Sequence, residues 1–200
     1  MPEFDYHCAL LSLPWAFKTN IDTIPAPRRY INSDATKVSQ WRARLGEKTK
    51  LRIGLTWSGN AAQKNDHNRS IPLADFLTML PDGFEYVSLQ KDVRDRDREI
   101  LALRPDILTF GDSLHDFSDT AALCELMDVV VTVCTSTAHL AAAMGKLTWI
   151  LLSFNPCWRW LLNRADNPWY PSAVLYRQER AGDWNDVFMR VKGDLTGLRE

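Results

Sequence analysis

The 200-residue chain has a hydrophobic content of 46%, which is enough to bury a sizeable core. Its 24 basic and 25 acidic residues leave a formal charge of -1, which excludes bulk attraction to nucleic acid or to an anionic membrane. Four scattered cysteines, without a CxxC pair or a Cys/His ligand spacing, predict neither a zinc site nor a disulfide framework.

Residues 1–50 differ from the rest of the chain. They are rich in proline and irregular, except for DATKVSQWRARLGEK, which predicts a short amphipathic helix. We interpret them as a connecting segment that leads into one domain at residues 51–200. The chain starts without a basic segment followed by an apolar stretch, and its most apolar region, residues 129–152, is interrupted by polar side chains. We therefore expect no secretory signal, no membrane span and a soluble, cytoplasmic protein.

From residue 51 onward, predicted strands alternate with predicted helices. The strands are LRIGLTW, FEYVSLQ, DILTF, VVVTV, TWILL and, as a candidate sixth, AVLYRQ. The helices are SIPLADFLTML, RDREILAL, DFSDTAALCELM, TAHLAAAMG and WNDVFMRVKGDLTGL. Since VVVTV is apolar without a period of two, it is typical of a parallel strand covered on both faces. The predicted fold class is a Rossmann-like, doubly wound parallel α/β sheet with helices on both faces.

Local residue patterns predict where three helices begin or end and which charged segment is exposed. Ser70 is a plausible N-cap of the first of these helices, Ser118 or Asp119 of the third, and Gly145 closes the fourth. The charged run KDVRDRDRE, residues 91–99, alternates in sign and predicts a solvated face.

Small hydroxyl residues follow the fourth strand, at Thr135, Ser136 and Thr137, and His139 comes at the start of the next helix. Ligands of open parallel sheets bind beyond the carboxyl ends of the strands, and a helix N-terminus favours phosphate. Two interpretations stay open. The turn binds an anion, with His139 as an added donor, or Thr135 or Ser136 caps the helix and His139 packs behind it.

A long polar loop, WSGNAAQKNDHNRS, follows the first strand. It would allow Arg69 to fold over a diphosphate as a bidentate clamp, or it is a mobile surface loop. Neither GxGxxG nor GxxxxGK[ST] occurs in the chain, which disfavours an NAD site and a P-loop.

Several ordered motifs together resemble the C-terminal half of a GT-B glycosyltransferase. They are IGLTWSGN…NDHNRSIPL, YVSLQK, DFSDTAAL, MDVVVTVCTSTAHLAAAMGK and CWRWLLNRADNPWYPSAVLYRQ…GDW. The opening FDYHCALLSLPWAF…IDTIPAPRRYI resembles the crossover segment before that half. The resemblance is to the heptosyltransferase (glycosyltransferase family 9)-like domain of bacterial tetratricopeptide-repeat proteins.

This resemblance implies a nucleotide-diphosphate-sugar donor, transfer of a hexosyl or heptosyl group to an unidentified acceptor, and no metal or other cofactor. It places the donor phosphates at the turn after the fourth strand, the diphosphate near Arg69, and the nucleoside along the loop after the third strand. The implied donor-binding residues are Ser58, Gly59, Asn60, Arg69, Gly111, Leu114, Thr135, Ser136, Thr137, Ala138 and His139. No residue of the chain is assigned a catalytic role.

The chain departs from the family pattern at three positions. Cys134 and Cys157 stand where aspartate is usual, and Ala142 stands where glycine is usual. The acceptor-binding domain of a GT-B enzyme is also absent, so we expect no transfer by the chain alone. A separate N-terminal domain or a second copy of the chain is the implied protein partner.

Two alternatives compete with donor binding. One is a degenerate, non-catalytic scaffold that docks partners through CWRWLLNRADNPWYP, although we favour packing as the role of these tryptophans. The other is a cysteine hydrolase that pairs Cys134 with His139, which the missing glycines of a nucleophile elbow disfavour.

Overall fold

A six-stranded sheet forms the centre of the computed structural model, which describes residues 3–199. Its strands are β1 (Arg52–Thr56), β2 (Glu85–Ser88), β3 (Ile107–Thr109), β4 (Val129–Val133), β5 (Leu147–Leu152) and β6 (Ala173–Arg177). The spatial order is β3-β2-β1-β4-β5-β6, and every neighbouring pair is parallel. The predicted doubly wound parallel sheet, including its sixth strand, is confirmed.

Eight α-helices accompany this sheet within residues 3–199. They are α1 (Leu13–Ala16), α2 (Ala35–Leu45), α3 (Asp66–Arg69), α4 (Leu73–Leu77), α5 (Asp95–Ala102), α6 (Phe117–Glu125), α7 (Ser136–Ala143) and α8 (Asn185–Gly197). None of these helices has the length and apolar character needed to cross a bilayer.

Both faces of the sheet are covered by apolar side chains. On one face, Ile53 and Leu55 of β1 pack in a cluster with Phe76 of α4 and Val191 of α8. On the other face, Val130 of β4 packs with side chains of α2, α6 and α7. This burial on both sides explains why the strand sequences are continuously apolar rather than alternating.

An ion pair joins the first residues of β1 and β2. Arg52, the first residue of β1, is 2% exposed and donates from Nε to Glu85 of β2 at 2.6 Å. Burial acts to raise the pKa of Glu85, but hydrogen bonds from Arg52 and from the amide and hydroxyl of Thr49 outweigh it and lower the pKa to about 2. The ionised carboxylate of Glu85 therefore stabilises the folded protein.

The segment before β1 packs on the sheet through one helix. Helix α2 begins after the N-cap Asp34 and buries Val38, Trp41 and Leu45 in the cluster that contains α6. Upstream, the Tyr30 amide donates to the last carbonyl of α7 at 3.0 Å. The residues before it, from Leu10 to Phe17, expose large apolar side chains.

Two predicted helix caps are wrong. Ser70 does not cap a helix, because α4 begins later, after Pro72, and the Ser70 hydroxyl is used in the loop instead. Asp116, not Ser118 or Asp119, is the N-cap of α6, and its carboxylate accepts from the amides of both of those residues. The reciprocal bond of a capping box comes from Asp119, which accepts from the amide of Asp116. Gly145 follows α7 with a φ of 72°, as predicted for the residue that closes this helix.

Candidate functional site

A cleft of about 820 Å³ lies beyond the carboxyl ends of β1, β2 and β4. The strand order reverses between β1 and β4, and such a switch point is where open α/β sheets bind ligands. The cleft is lined by Thr56, Ser58, Gly59, Asn60, Ala61, Arg69, Leu89, Gln90, Lys91, Asp92, Val93, Arg94, His115, Asp116, Phe117, Thr120, Thr135, Ser136 and Thr137.

The first turn of α7 opens onto this cleft without a side-chain cap. Thr135 occupies the N-cap position, yet within residues 3–199 no side chain accepts a hydrogen bond from the start of the helix. The Thr135 hydroxyl lies instead 3.2 Å from the hydroxyl of Thr132, inside the sheet. The amides of Ala138 and His139 donate to the Thr135 carbonyl, whereas those of Ser136 and Thr137 come before the first intrahelical bond. These two amides and the positive end of the helix dipole favour an anion.

Two hydroxyl groups at the floor of the cleft have no hydrogen-bond partner. Thr56, at the end of β1, and Ser58 are 3% and 2% exposed, and neither hydroxyl is paired within the described part of the chain. The backbone around them is fixed, because Gln90 accepts from the Ser58 amide and donates to the Ser58 carbonyl. An unpaired buried hydroxyl costs the folded protein about 1–3 kcal/mol.

A buried carboxylate organises the basic wall of the cleft. Asp66, the first residue of α3, is 4% exposed and accepts hydrogen bonds from Arg69, from Ser70 and from Arg94. Burial acts to raise the pKa of Asp66, but these hydrogen bonds outweigh it and hold the pKa below its usual range. Asp66 is therefore ionised at neutral pH, and both guanidinium groups are held beside it.

Arg69 is held between the loop after β1 and the segment that leads into α7. Its Nε donates to Asp66 at 3.1 Å, and its NH1 donates at 2.7 Å to the carbonyl of Cys134, which lies directly before the N-cap position of α7. Gly59 allows this placement, because a Cβ at that position would lie 2.3 Å from NH2 of Arg69. The loop after β1 thus holds its arginine in a defined position through these contacts.

The charged run at residues 91–99 is not simply a solvated face, and that prediction is wrong. Arg94 lines the cleft and contacts Asp66, while Asp97 is fully buried and accepts from the Trp57 indole and from the Leu73 amide, each at 3.0 Å. Alternation of sign does not reveal burial, because both residues are paired by partners more than twenty positions away in the sequence.

A second lobe of the cleft, with a volume of about 550 Å³, lies beyond the first turn of α7. It shares Arg69, Thr135 and Ser136 with the main cleft. The rest of its lining is Gln63, Asn65, Cys134, His139, Ser153, Asn155, Pro156 and Cys157. Amide and hydroxyl groups dominate this lining, and they pair well with the hydroxyl groups of a small polar ligand.

His139 and Cys134 do not form an activated pair. Nδ1 of His139 lies 3.0 Å from the Tyr170 hydroxyl, and its ring stacks on Trp160 at 4.7 Å. Burial and then the charge of Arg159 lower the pKa of His139, which keeps the ring neutral at pH 7. Burial raises the pKa of the Cys134 thiol, whose Sγ accepts from the Trp160 indole at 3.0 Å. A protonated thiol without a free base beside it is a poor nucleophile.

The structure brings together seven of the residues predicted to bind a donor. Those that line the main cleft are Ser58, Gly59, Asn60, Arg69, Thr135, Ser136 and Thr137. His139 lies in the second lobe, and Ala138 is fully buried behind the helix corner. Gly111 and Leu114 do not line the cleft: Leu114 is 1% exposed in the core, and a Cβ on Gly111 would lie 2.5 Å from the Lys91 carbonyl.

The wall next to that loop is formed by residues that were not among the predicted donor-binding residues. After β3 the chain turns into the core at Leu114, so His115, Asp116 and Phe117 reach the cleft instead. Gln90 and Arg94, which follow β2, complete the site. Their position after a predicted strand was the one available signal, since polar residues at that end of a parallel sheet meet at one edge.

Comparison with known proteins shows the fold but not a family. No family model matches the chain. Its structure is similar to that of the E. coli ADP-heptose LPS heptosyltransferase II, with a TM-score of 0.58 and 16% sequence identity over 88% of this chain and 56% of that one. The likeness shows that the chain has the Rossmann-like fold found in a GT-B glycosyltransferase.

One curated relative covers nearly the whole chain. Protein FlbA of Caulobacter vibrioides is 27% identical over 212 residues, which takes in 99% of this chain. The match covers 33% of FlbA, so the chain spans about a third of the length of that relative.

Proposed function

We propose that the chain is the nucleotide-diphosphate-sugar-binding domain of a glycosyltransferase, and that it transfers a sugar to an acceptor only when a second domain completes the active cleft. One observation carries the proposal. The uncapped first turn of α7 opens onto a cleft whose wall holds Arg69. A phosphorylated ligand would pair with the free amides of this turn and with the guanidinium of Arg69.

The geometry supports a division of the donor along the site. The diphosphate would lie over the amides of Ser136 and Thr137, within reach of Arg69. The nucleoside would lie towards the wall at residues 115–117, and the sugar would lie in the lobe that contains Asn155. Charge that develops on the leaving diphosphate would be stabilised by the helix end and by guanidinium groups, without a divalent cation. The base that activates the acceptor would come from the second domain.

Calorimetry with UDP, ADP and GDP tests donor binding directly. We expect one of them to bind with a dissociation constant below the millimolar range, and absence of binding by all three at millimolar concentration contradicts the proposal. A pair of variants then locates the phosphates. Ser136→Pro removes the amide donor at the first position of α7, where proline fits the helix and the preceding residue is already extended.

The matched control is Ser136→Ala, which keeps this amide and removes only the side-chain hydroxyl. Loss of a charge-assisted hydrogen bond, about 1.5–3 kcal/mol, weakens binding about tenfold or more. We expect that loss in Ser136→Pro and a smaller one in Ser136→Ala. Equal affinities for both variants would place the phosphates elsewhere.

A non-catalytic interaction module is the second candidate function. The specific observation in its favour is the exposure of large apolar side chains before α2, with Leu11 86%, Trp15 85% and Phe17 78% exposed. Exposed apolar groups of this size are typical of surfaces that contact another protein. The same calorimetry separates the two candidates, since a scaffold of this kind needs no nucleoside diphosphate.

A further inference from the structure

We infer that Asp66 is a positioning residue, which holds Arg69 and Arg94 as two separate arms and thereby selects a ligand with two phosphoryl groups over a ligand with one. The inference rests on the proposed function and adds a specificity device to the same site. Neither Asp66 nor Arg94 was identified from the sequence.

Each oxygen of the carboxylate holds a different arginine. Oδ1 of Asp66 accepts from Nε of Arg69 at 3.1 Å and from the Ser70 hydroxyl at 2.8 Å, while Oδ2 accepts from NH2 of Arg94. Because Asp66 is 4% exposed, solvent does not compete strongly for these contacts. Movement of either guanidinium group away from its present position therefore breaks its bond to the carboxylate.

The two arms donate to different backbone carbonyls. Arg69 donates to the Cys134 carbonyl at the α7 corner, at 2.7 Å. Arg94 donates to the Gly59 carbonyl at 3.1 Å and to the Ser70 hydroxyl at 3.0 Å, in the loop after β1. On the basis of these partners, we assign Arg69 to the phosphoryl group at the helix start and Arg94 to the second phosphoryl group.

Both arms keep donors available for a ligand. A guanidinium carries several N–H donors, and within residues 3–199 neither NH2 of Arg69 nor NH1 of Arg94 makes a hydrogen bond. One carboxylate between two guanidinium groups leaves the cluster with one net positive charge, which favours the more highly charged diphosphate.

The test measures selectivity rather than affinity alone. The selectivity ratio is the dissociation constant of the nucleoside monophosphate divided by that of the diphosphate, for the pairs UMP/UDP, AMP/ADP and GMP/GDP. We expect Asp66→Asn and Arg94→Gln each to lower this ratio about tenfold, the equivalent of one charge-assisted hydrogen bond. Arg94 has a side chain that is 23% exposed, so its variant carries the test if Asp66→Asn does not fold.

Asp97→Asn is the matched control. Asp97 is also buried and bonded, to Trp57 and Leu73, but it does not line the cleft. We expect this variant to lower the melting temperature and to leave the ratio unchanged. If Asp66→Asn folds and keeps the wild-type ratio while diphosphate still binds, the positioning role is refuted and donor binding stands. Where Asp66→Asn does not fold, an unchanged ratio in Arg94→Gln refutes it. If the wild-type chain binds no nucleoside diphosphate, the proposed function fails as well.

Discussion

Replacement of Thr56 by valine should stabilise the unliganded protein, because it removes an unpaired buried hydroxyl. Valine has nearly the same shape as threonine but carries no hydroxyl. Thr56 is 3% exposed and its hydroxyl has no partner in the described chain, so the free protein bears the cost of an unpaired buried polar group. That cost is about 1–3 kcal/mol.

We therefore expect Thr56→Val to raise the free energy of unfolding of the unliganded protein by about 1–3 kcal/mol. For a chain of this length, each 1 kcal/mol corresponds to a shift in melting temperature of about 2–4 °C. Differential scanning calorimetry of the unliganded protein measures this effect.

Thr132 offers a matched control in the same layer of the sheet. It lies directly opposite Thr56 in the parallel register and is fully buried, but its hydroxyl donates to the Val133 carbonyl at 2.9 Å. Thr132→Val removes a satisfied hydroxyl and should lower the stability by about 1 kcal/mol. If Thr56→Val also lowers the melting temperature, the Thr56 hydroxyl is already satisfied in the free protein and the reasoning fails.

Three further predictions follow from other contacts. Gly59→Ala should weaken binding of nucleoside diphosphate about tenfold, because the added Cβ displaces the guanidinium of Arg69. The control is Gly193→Ala at an exposed position with free space, which should leave binding unchanged. Titration calorimetry compares the two variants. Glu85→Gln should lower the free energy of unfolding at pH 7 by up to about 3 kcal/mol and flatten its pH dependence. The reason is that a carboxyl whose pKa falls from 4.5 to about 2 on folding contributes stability above pH 4.5, and this contribution is lost as the pH falls towards 2. Acid titration of unfolding tests this, and an unchanged profile contradicts it. In a variant that lacks the exposed Cys8, iodoacetamide should label Cys134 slowly at pH 7, and rapid labelling on a mass-spectrometric time course would restore the hydrolase interpretation.

The order of the elements was available from the sequence because it depends on local patterns. Strands such as Val129–Val133 are apolar on both faces, and the segments between them have the periodicity of helices. The position of the cleft also followed, since the carboxyl ends of parallel strands converge at one edge whatever the side chains are. The hydroxyl corner after β4 was found for that reason.

The cap of α7 illustrates where local patterns stop being informative. A sequence with Thr135 and Ser136 at a helix start predicts a capped helix as readily as an open one. The choice was decided by Thr132, because its hydroxyl draws that of Thr135 into the sheet and leaves the first turn without a cap.

By itself, the sequence determined a doubly wound parallel sheet, the edge at which its site lies and the polar residues that follow two of its strands. Only the tertiary structure decided which charged residues besides Arg69 belong to that candidate site. Arg94 and Asp66 are 28 positions apart, and their contact depends on two loops that the sheet brings side by side. The physical reason is that hydrophobic periodicity is a property of neighbouring residues, whereas the pairing of buried charges depends on which segments the packed core places together.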